Sequence, residues 1–295
     1  MIANYDKEDR PLAPGLYLVA TPIGNLEDIT LRALRVLQKA DRIACEDTRQ
    51  TQKLLNHFEI RTPTVSYHMH NEGSRTQELI AELKTGARVA VVSDAGTPGI
   101  ADPGGQIVAA ALAAGVDVFP IPGANAAISG LIASGLATEQ FTFHGFLPAK
   151  AGQRKTALEN LVREDLTHVF YEAPHRIVDT LADINAVFGP DQHVVIAREL
   201  TKMHEEFLRG TVKDLQTQLS ARSSVRGEIV LMFTLHPNIE STSESRKTSL
   251  AAEVAALIKS ERISEMDSLK RIARERGIGK SEAYRELQRE QNRLR

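Results

Sequence analysis

The apolar stretch Val89-Ala90-Val91-Val92 runs straight into Ser93-Asp94-Ala95-Gly96-Thr97-Pro98-Gly99-Ile100-Ala101-Asp102-Pro103-Gly104, and the small-residue run Gln106 to Ala114 follows. That junction narrows the fold most. An unbroken apolar tetrapeptide closed by turn residues reads as a buried strand, and the run after the loop reads as a helix. In open α/β sheets, ligand crevices form at the carboxyl ends of the strands. Glycines and prolines there let bare backbone approach a ligand while the loop stays stiff. Asp94 and Asp102 add polar handles at that edge, although the same loop also suits an ordinary strand-to-helix turn.

The pattern repeats along the chain. Gly15 to Ala20 reads as a strand, followed by the turn Thr21-Pro22-Ile23-Gly24-Asn25 and a helix Leu31 to Lys39 that Thr30 can cap. Asp41 to Cys45 is a second strand and Val65 to Tyr67 a short one. Helix Thr76 to Lys84 leads to the Val89 strand, and Val116 to Ile121 closes the segment. Strands alternating with helices imply a parallel or mostly parallel sheet. A second α/β segment begins at Pro122-Gly123. It carries a small-residue helix to Ala133, a loop rich in Phe141, Phe143 and Phe146, and helix Arg154 to Val162. Strands Thr167 to Tyr171, Val194 to Ala197 and Glu228 to Phe233 are interleaved with helices Ile177 to Phe188 and Val212 to Leu219. The expected organisation is a flexible 1–14, α/β domains over 15–122 and 123–237, a polar linker 238–248, and a helical domain 249–295.

Charge is unevenly spread. From Arg246 onward there are 13 Lys/Arg against 8 Asp/Glu, whereas the rest of the chain holds 23 against 30. A basic end on an acidic body assigns contact with an anionic polymer to the C-terminal part. Within it, the stretch Leu269 to Leu287 has an Ala four residues before Gly277, an apolar Ile278 after it, and Ser281 to start a second helix. That is the shape of a helix-turn-helix, with Lys270, Arg271, Arg274, Arg276, Lys280 and Arg285 available to phosphates. A plain helical hairpin for packing or dimerisation fits the same pattern. Cys45 is the single cysteine, so neither a disulfide framework nor a thiolate metal cluster is expected. His68-Met69-His70 is spaced too loosely for a metal site, and no metal is expected. The polar N-terminus and the absence of a long apolar run point to a cytoplasmic protein without a membrane span.

Polar clusters stand at or near strand ends: Glu46-Asp47-Thr48-Arg49, the Asp94 loop, Glu172 to Arg176, and Arg198 to Lys202. Arginines there can hold phosphates bidentately, and carboxylates can take a proton. Hydrolase elbows, Walker loops and dinucleotide fingerprints are missing.

Several stretches occur in order: Val-Ala-Thr-Pro-Ile-Gly-Asn-Leu-Glu-Asp-Ile-Thr, Cys-Glu-Asp-Thr-Arg, His-Met-His-Asn-Glu, Val-Ser-Asp-Ala-Gly-Thr-Pro, Phe-Leu-Pro-Ala-Lys, Phe-Tyr-Glu-Ala-Pro-His-Arg and Ala-Arg-Glu-Leu-Thr-Lys. Through them the chain, from Gly15 to its end, closely resembles the bacterial ribose-2′-O-methyltransferases of small-subunit ribosomal RNA, within the tetrapyrrole-methylase superfamily. The resemblance implies two α/β domains with S-adenosylmethionine between them, commonly in a homodimer. It also implies methyl transfer to a cytidine 2′-hydroxyl in the decoding region of 16S rRNA, in the small ribosomal subunit. The superfamily's cofactor contacts fall on Asp94, Gly96, Thr97, Pro98, Gly99, Ile100 and Ala101, on Ala124, Asn125 and Ala126, and on Phe170, Tyr171, Ala197, Gly227, Glu228 and Ile229. Glu46, Asp47 and Glu172, with His175 beside them, are the expected hydroxyl contacts. Arg49, Arg176, Arg198 and Lys202 are expected to hold the RNA backbone. The first turn, Thr-Pro-Ile-Gly-Asn, is less glycine-rich than in tetrapyrrole methylases, which argues against the alternative of a corrin or porphyrin substrate. A DNA-binding regulator and a nucleotide-binding structural protein are the other readings, distinguished by an absence of methyl transfer.

Overall fold

The computed structural model describes residues 11–161, 166–235 and 264–275, together with positions 254, 257, 258, 283, 284 and 287. The chain divides into two compact units, Met1–His236 and Pro237–Arg295.

The first unit carries two five-stranded sheets. One is built from β1 (Gly15–Val19), β2 (Arg42–Cys45), β3 (Thr64–Ser66), β4 (Arg88–Val92) and β5 (Val118–Ile121), in spatial order β3-β2-β4-β1-β5. Every pairing in it is parallel. Successive side chains point to opposite faces of a pleated strand. Tyr17, Val19, Ile43, Cys45, Ala90 and Val92 therefore pack on α1 (Leu31–Lys39) and α2 (Thr48–His57). Leu16, Ala44, Val89 and Val91 pack on α3 (Glu72–Lys84) and α4 (Gly105–Ala113). A strand covered on both faces has to be apolar throughout, which is what Val89 to Val92 displays. Thr30 caps α1 by accepting from the Ala33 N–H at 3.1 Å.

Although β1 and β4 are neighbours, the helices that follow them lie on opposite faces of the sheet. Their outgoing loops diverge and open a crevice. The base of that crevice is pinned by Thr21 N–H donating to Gly96 O at 2.8 Å and Gly96 N–H to Thr21 O at 3.1 Å.

The second sheet comprises β6 (Phe141–Phe146), β7 (Leu166–Glu172), β8 (His193–Arg198), β9 (Glu206–Thr211) and β10 (Ile229–Leu235), in the order β6-β7-β10-β8-β9. β6 and β7 run parallel and the other pairs antiparallel. Two of these strands depart from the sequence expectation: β6 replaces a phenylalanine-rich loop, and β9 has no counterpart in the sequence pattern. Both are edge strands, where one ladder is unpaired and polar or irregular residues are tolerated. β6 also shifts register between Phe143 and Phe146, and β9 carries the charged residues Glu206 and Arg209.

One face of this sheet packs Phe170, Ile196, Leu231 and Phe233 against α6 (Ala151–Glu159), α7 (Ile177–Phe188) and α8 (Val212–Ser220). The other face receives the short α5 (Ala126–Ile132), through Ala127 and Leu131, together with Ile23 and Leu200. Gly130 lets α5 approach: a Cβ built there meets Val230 Cγ1 at 3.3 Å and Met232 Cε at 3.4 Å. Gly130→Leu is expected to lift the helix and cost about 1–3 kcal/mol, whereas Gly130→Ala stays close to wild type; urea unfolding of both variants checks this.

In the second unit, α9 (Glu265–Glu275) joins Leu269, Ile272 and Ala273 to Val254, Ala283 and Leu287 in one apolar cluster. Lys270 and Arg271 are exposed on α9, and Arg274 belongs to the same helix. The turn containing Gly277, with Arg276 and Lys280, lies outside the described residues, as does Arg285, so the helix-turn-helix remains an expectation. Among the described residues no helix is long and apolar enough to cross a membrane.

Candidate functional site

The crevice between the diverging loops continues against the uncovered part of the second sheet as a cavity of about 430 Å³, within the range of small-molecule sites. The loop after β4 contributes most of one wall, from Asp94 to Thr97 and again from Ile100 to Asp102. Ile23, Glu46 and Ala126 adjoin it, and Tyr171, Ala197 and Val230 face it from the second sheet.

Backbone geometry explains the glycines. Gly96 has φ +82° and Gly104 φ +145°, and a Cβ on Gly104 would meet the Gly99 nitrogen at 3.1 Å. Gly99 N–H donates to Pro103 O at 3.1 Å and closes the tip of the loop. Thr97 Oγ1 donates to Ala124 O at 3.1 Å and accepts from Asn125 Nδ2 at 3.3 Å, tying the loop to the start of α5. Asn125 also caps α5 by accepting from Ile128 N–H at 3.1 Å.

The lining includes the carboxylates Glu46, Asp94, Asp102, Glu172 and Glu228 and, among the described residues, no Lys, Arg or His side chain. Burial, and then the negative charge of Glu46, pushes Asp102 up to about 6; Asp94 and Glu228 act in the same sense and the Ser93 hydroxyl opposes. Glu46 is also raised, first by burial and then by Asp94, with His68 opposing. Carboxylates crowded in a partly apolar cavity favour a cationic guest, which relieves their mutual repulsion. The aromatic rings of Tyr171 and Phe146, 5.7 Å apart between centroids and inclined at 63°, give an apolar aromatic corner beside it.

Of the residues singled out from sequence, Glu46, Asp94, Gly96, Thr97, Ile100, Ala101, Ala126, Tyr171, Glu172, Ala197, Glu228 and Ile229 line the cavity. Pro98, Gly99, Ala124 and Asn125 shape or brace the loop from behind without lining it. Gly227, at φ +88°, makes a turn in which a Cβ would strike the Glu199 carboxyl carbon at 2.3 Å. Phe170 is a correction. The alternation that brings Tyr171 to the cavity turns Phe170 to the opposite face, where it is 1% exposed and stacks on Phe233 at 5.5 Å.

Several charged residues are also reassigned. Glu172 lines the cavity, but its Oε1 accepts from Arg176 Nε and Ala173 N–H and its Oε2 from Thr180 Oγ1 at 2.8 Å. With its side chain fully buried and both carboxylate oxygens hydrogen-bonded, it anchors the start of α7. Arg176 is spent on Glu172 and on Leu147 O at 2.9 Å, so it is not a surface phosphate ligand. Arg198 is held by Glu206 at 3.0 Å and Arg226 O at 3.0 Å. Lys202 Nζ bridges Glu199 at 2.8 Å and Glu228 at 3.0 Å. Asp47 caps α2 and chelates the Arg49 guanidinium, which holds its carboxyl down at about 2. His175 is exposed and outside the cavity lining. Arg49 stays on the surface, its side chain 86% exposed.

Cavity residues to which the sequence reading gives no role include Ile23, Ala95, Phe146, Leu200 and Val230, while it places Asp102 at the crevice edge only as a polar handle. Phe146 and Asp102 had visible signals, one at the head of Phe-Leu-Pro-Ala-Lys and the other inside the glycine-rich loop. Ile23 and Leu200 carry no local signal, because they reach the cavity only through packing between the halves of the first unit.

Residues 15–216 match the model of the tetrapyrrole (corrin/porphyrin) methylases. Among curated proteins, the ribosomal RNA small subunit methyltransferase I of Halalkalibacterium halodurans is 54% identical over 217 residues, 74% of this chain and 74% of that protein. The Bacillus subtilis protein of the same name is 44% identical over 271 residues, 91% and 92% of the two chains. Among solved structures, a uroporphyrin-III-C-methyltransferase from Thermus thermophilus superposes with a TM-score of 0.54 at 21% identity, over 75% of this chain and 94% of that one. A diphthine synthase does so with a TM-score of 0.58 at 16% identity, over 75% and 91%. These structures share the fold. Matched over most of its length by both the family model and its curated relatives, the chain belongs to the tetrapyrrole methylases and, within them, to the group named ribosomal RNA small subunit methyltransferase I.

Proposed function

We propose that this protein is a cytoplasmic, homodimeric S-adenosylmethionine-dependent methyltransferase. It acts on the small ribosomal subunit, at the ribose 2′-hydroxyl of a cytidine in the decoding region of 16S rRNA. The observation that carries the reading is the cavity, acidic and walled by small residues, in a chain whose relatives are named for methylating small-subunit rRNA. The cavity fits the cofactor on its own terms: Gly96, Ala101, Ala126 and Ala197 leave room, Tyr171 and Phe146 offer aromatic surface, and the carboxylates favour a cation.

S-adenosylmethionine supplies a methyl group on a positively charged sulfur, and transfer is an in-line displacement. The residues around it act mainly by alignment, since holding the reacting atoms in line removes much of the entropic barrier. The loop after β4, braced by Thr97 and closed at Gly99, is stiff enough for that task. An acidic cavity repels phosphates, so a single ribose enters while the RNA backbone stays outside. An open groove on α2, lined by Thr48, Arg49, Gln52, Lys53 and Asn56, directly follows the Glu46 edge of the cavity in sequence and is suited to that backbone. Lys270 and Arg271 on α9 offer RNA a second cationic surface.

The test is methyl transfer from labelled S-adenosylmethionine to small subunits lacking the modification, with nuclease mapping of the product. Label on one decoding-region ribose sustains the reading; cofactor binding without label on subunits or naked RNA removes it. In the same assay, Arg49→Glu with Lys53→Glu is expected to lower kcat/KM on the order of tenfold. The slope of its salt dependence should flatten by roughly 0.7 for each phosphate that is no longer neutralised. Calorimetry is expected to show cofactor affinity unchanged in this variant.

A further inference from the structure

We propose that Asp102, which shares the cavity wall with Glu46, accepts the proton of the attacking hydroxyl; this rests on the methyltransferase reading above. The argument begins with geometry. Gly99 and Pro103 close the loop tip, and Ala101 sits at φ +61°, a left-handed conformation unfavourable for a residue with a side chain. Such strain persists only where surrounding structure enforces it, and it collects at functional sites. Here it turns Ile100, Ala101 and Asp102 together onto the cavity wall.

The other carboxylates are already engaged. Glu172 has both oxygens bonded and buried. Asp47 is neutralised by Arg49 and is a weak base. Asp94 accepts the Asp47 N–H at 3.0 Å. Glu228 lies 3.0 Å from Lys202 and is 75% exposed. Glu46 and Asp102 remain, half-buried on the same cavity, with only the Ser93 hydroxyl donating to Asp102 among the described residues. Glu46 just after β2, Asp94 from the same loop and Glu228 just before β10 all set negative charge toward Asp102, and Tyr171 from β7 is the remaining titratable neighbour. His68 stands beyond Glu46 and acts on Glu46. The result is a carboxylate whose proton affinity, near 6, is close to the operating pH, where a general base works best.

The step balances. The hydroxyl oxygen forms its bond to the methyl carbon as the carbon–sulfur bond breaks, with that electron pair remaining on sulfur. The hydroxyl proton passes to a carboxylate oxygen of Asp102. The positive charge lost from sulfur is thus replaced by a proton within the same cavity, and the net charge of the site does not change during transfer. Water takes the proton afterward.

The test is single-turnover methyl transfer to small subunits by wild type, Asp102→Asn, Asp102→Glu and Glu46→Gln, with S-adenosylmethionine affinity measured separately by calorimetry. The wild-type rate is expected to rise with pH through about 6 and then level off, because the ionised carboxylate is the active form. Asp102→Asn is expected to be slower by about 100-fold or more at neutral pH with the cofactor saturating, a loss well beyond any loss of cofactor affinity. Asp102→Glu recovers part of the rate with a displaced inflection, and Glu46→Gln moves the inflection downward because a like charge has gone. An Asp102→Asn rate within about threefold of wild type overturns the proposal, as does a rate loss matched by an equal loss of cofactor affinity. Wild-type turnover in the same reactions leaves the methyltransferase reading standing in either case.

Discussion

Replacing Glu172 with alanine is expected to destabilise the first unit by about 3–5 kcal/mol, the usual cost of removing one partner from a buried ion pair. For a unit of this size that corresponds to a fall in Tm of roughly 6–20 °C. The physical reason is what the substitution leaves behind. Arg176, its side chain 14% exposed, keeps only the Leu147 carbonyl at 2.9 Å, and Thr180 Oγ1 and the Ala173 N–H lose their acceptors. A buried cation without a counter-charge is far less stable than either the intact pair or an apolar replacement of both members. The double variant Glu172→Met, Arg176→Met should therefore recover much of the loss. Thermal and urea unfolding of the three proteins check this, and a Glu172→Ala protein that melts with wild type would sink the anchor assignment. The distinction matters for function, because an inactive Glu172→Ala enzyme looks catalytic in an activity assay. Methyl transfer normalised to folded protein separates the two.

What the chain shows in advance divides along physical lines. A strand buried on both faces must be apolar, and a loop that presses backbone against backbone must contain glycine, so β4 and the loop after it are legible from Val89 to Gly104. Helix starts are legible for the same local reason, as with Thr30 and Ala33. The edge strands of the second sheet, β6 and β9, obey neither rule and are accordingly misread. Charges at strand ends are ambiguous because local pairing and ligand contact call for the same residue types. Glu172 and Arg176, four apart on the chain, turn out to bind each other. Asp102 is visible as a polar residue in the right loop, yet its proton affinity is set by burial and then by Glu46, which no local pattern connects to it. Phe170 and Tyr171 show the remaining gap: alternation says that one faces each side, but only the tertiary fold decides which side holds the cavity.

Ala126→Tyr is expected to abolish cofactor binding without unfolding the protein. Ala126 is half-buried at the first turn of α5 and lines the cavity. A phenol ring there enters space that only small residues leave open, while the core contacts of α5 run through Ala127, Gly130 and Leu131 on its buried face. The free variant should melt within a few degrees of wild type. A ligand present at about 100 times its Kd stabilises the folded state by about 2.7 kcal/mol, which in a unit of this size raises Tm by roughly 5–11 °C. Wild type should show that shift with S-adenosylmethionine, and Ala126→Tyr should show none, corresponding to an affinity loss of about 100-fold or more. Ile132→Tyr is the matched control: Ile132 lies on the same helix, is 72% exposed and does not line the cavity, so its ligand-induced shift should equal that of wild type. A full shift in Ala126→Tyr would place the cofactor elsewhere. Loss of the shift in Ala126→Tyr but not in Ile132→Tyr ties binding to the space between the loop after β4 and the second sheet, because the two variants add an aromatic ring to the same helix and differ only in whether it fills that space.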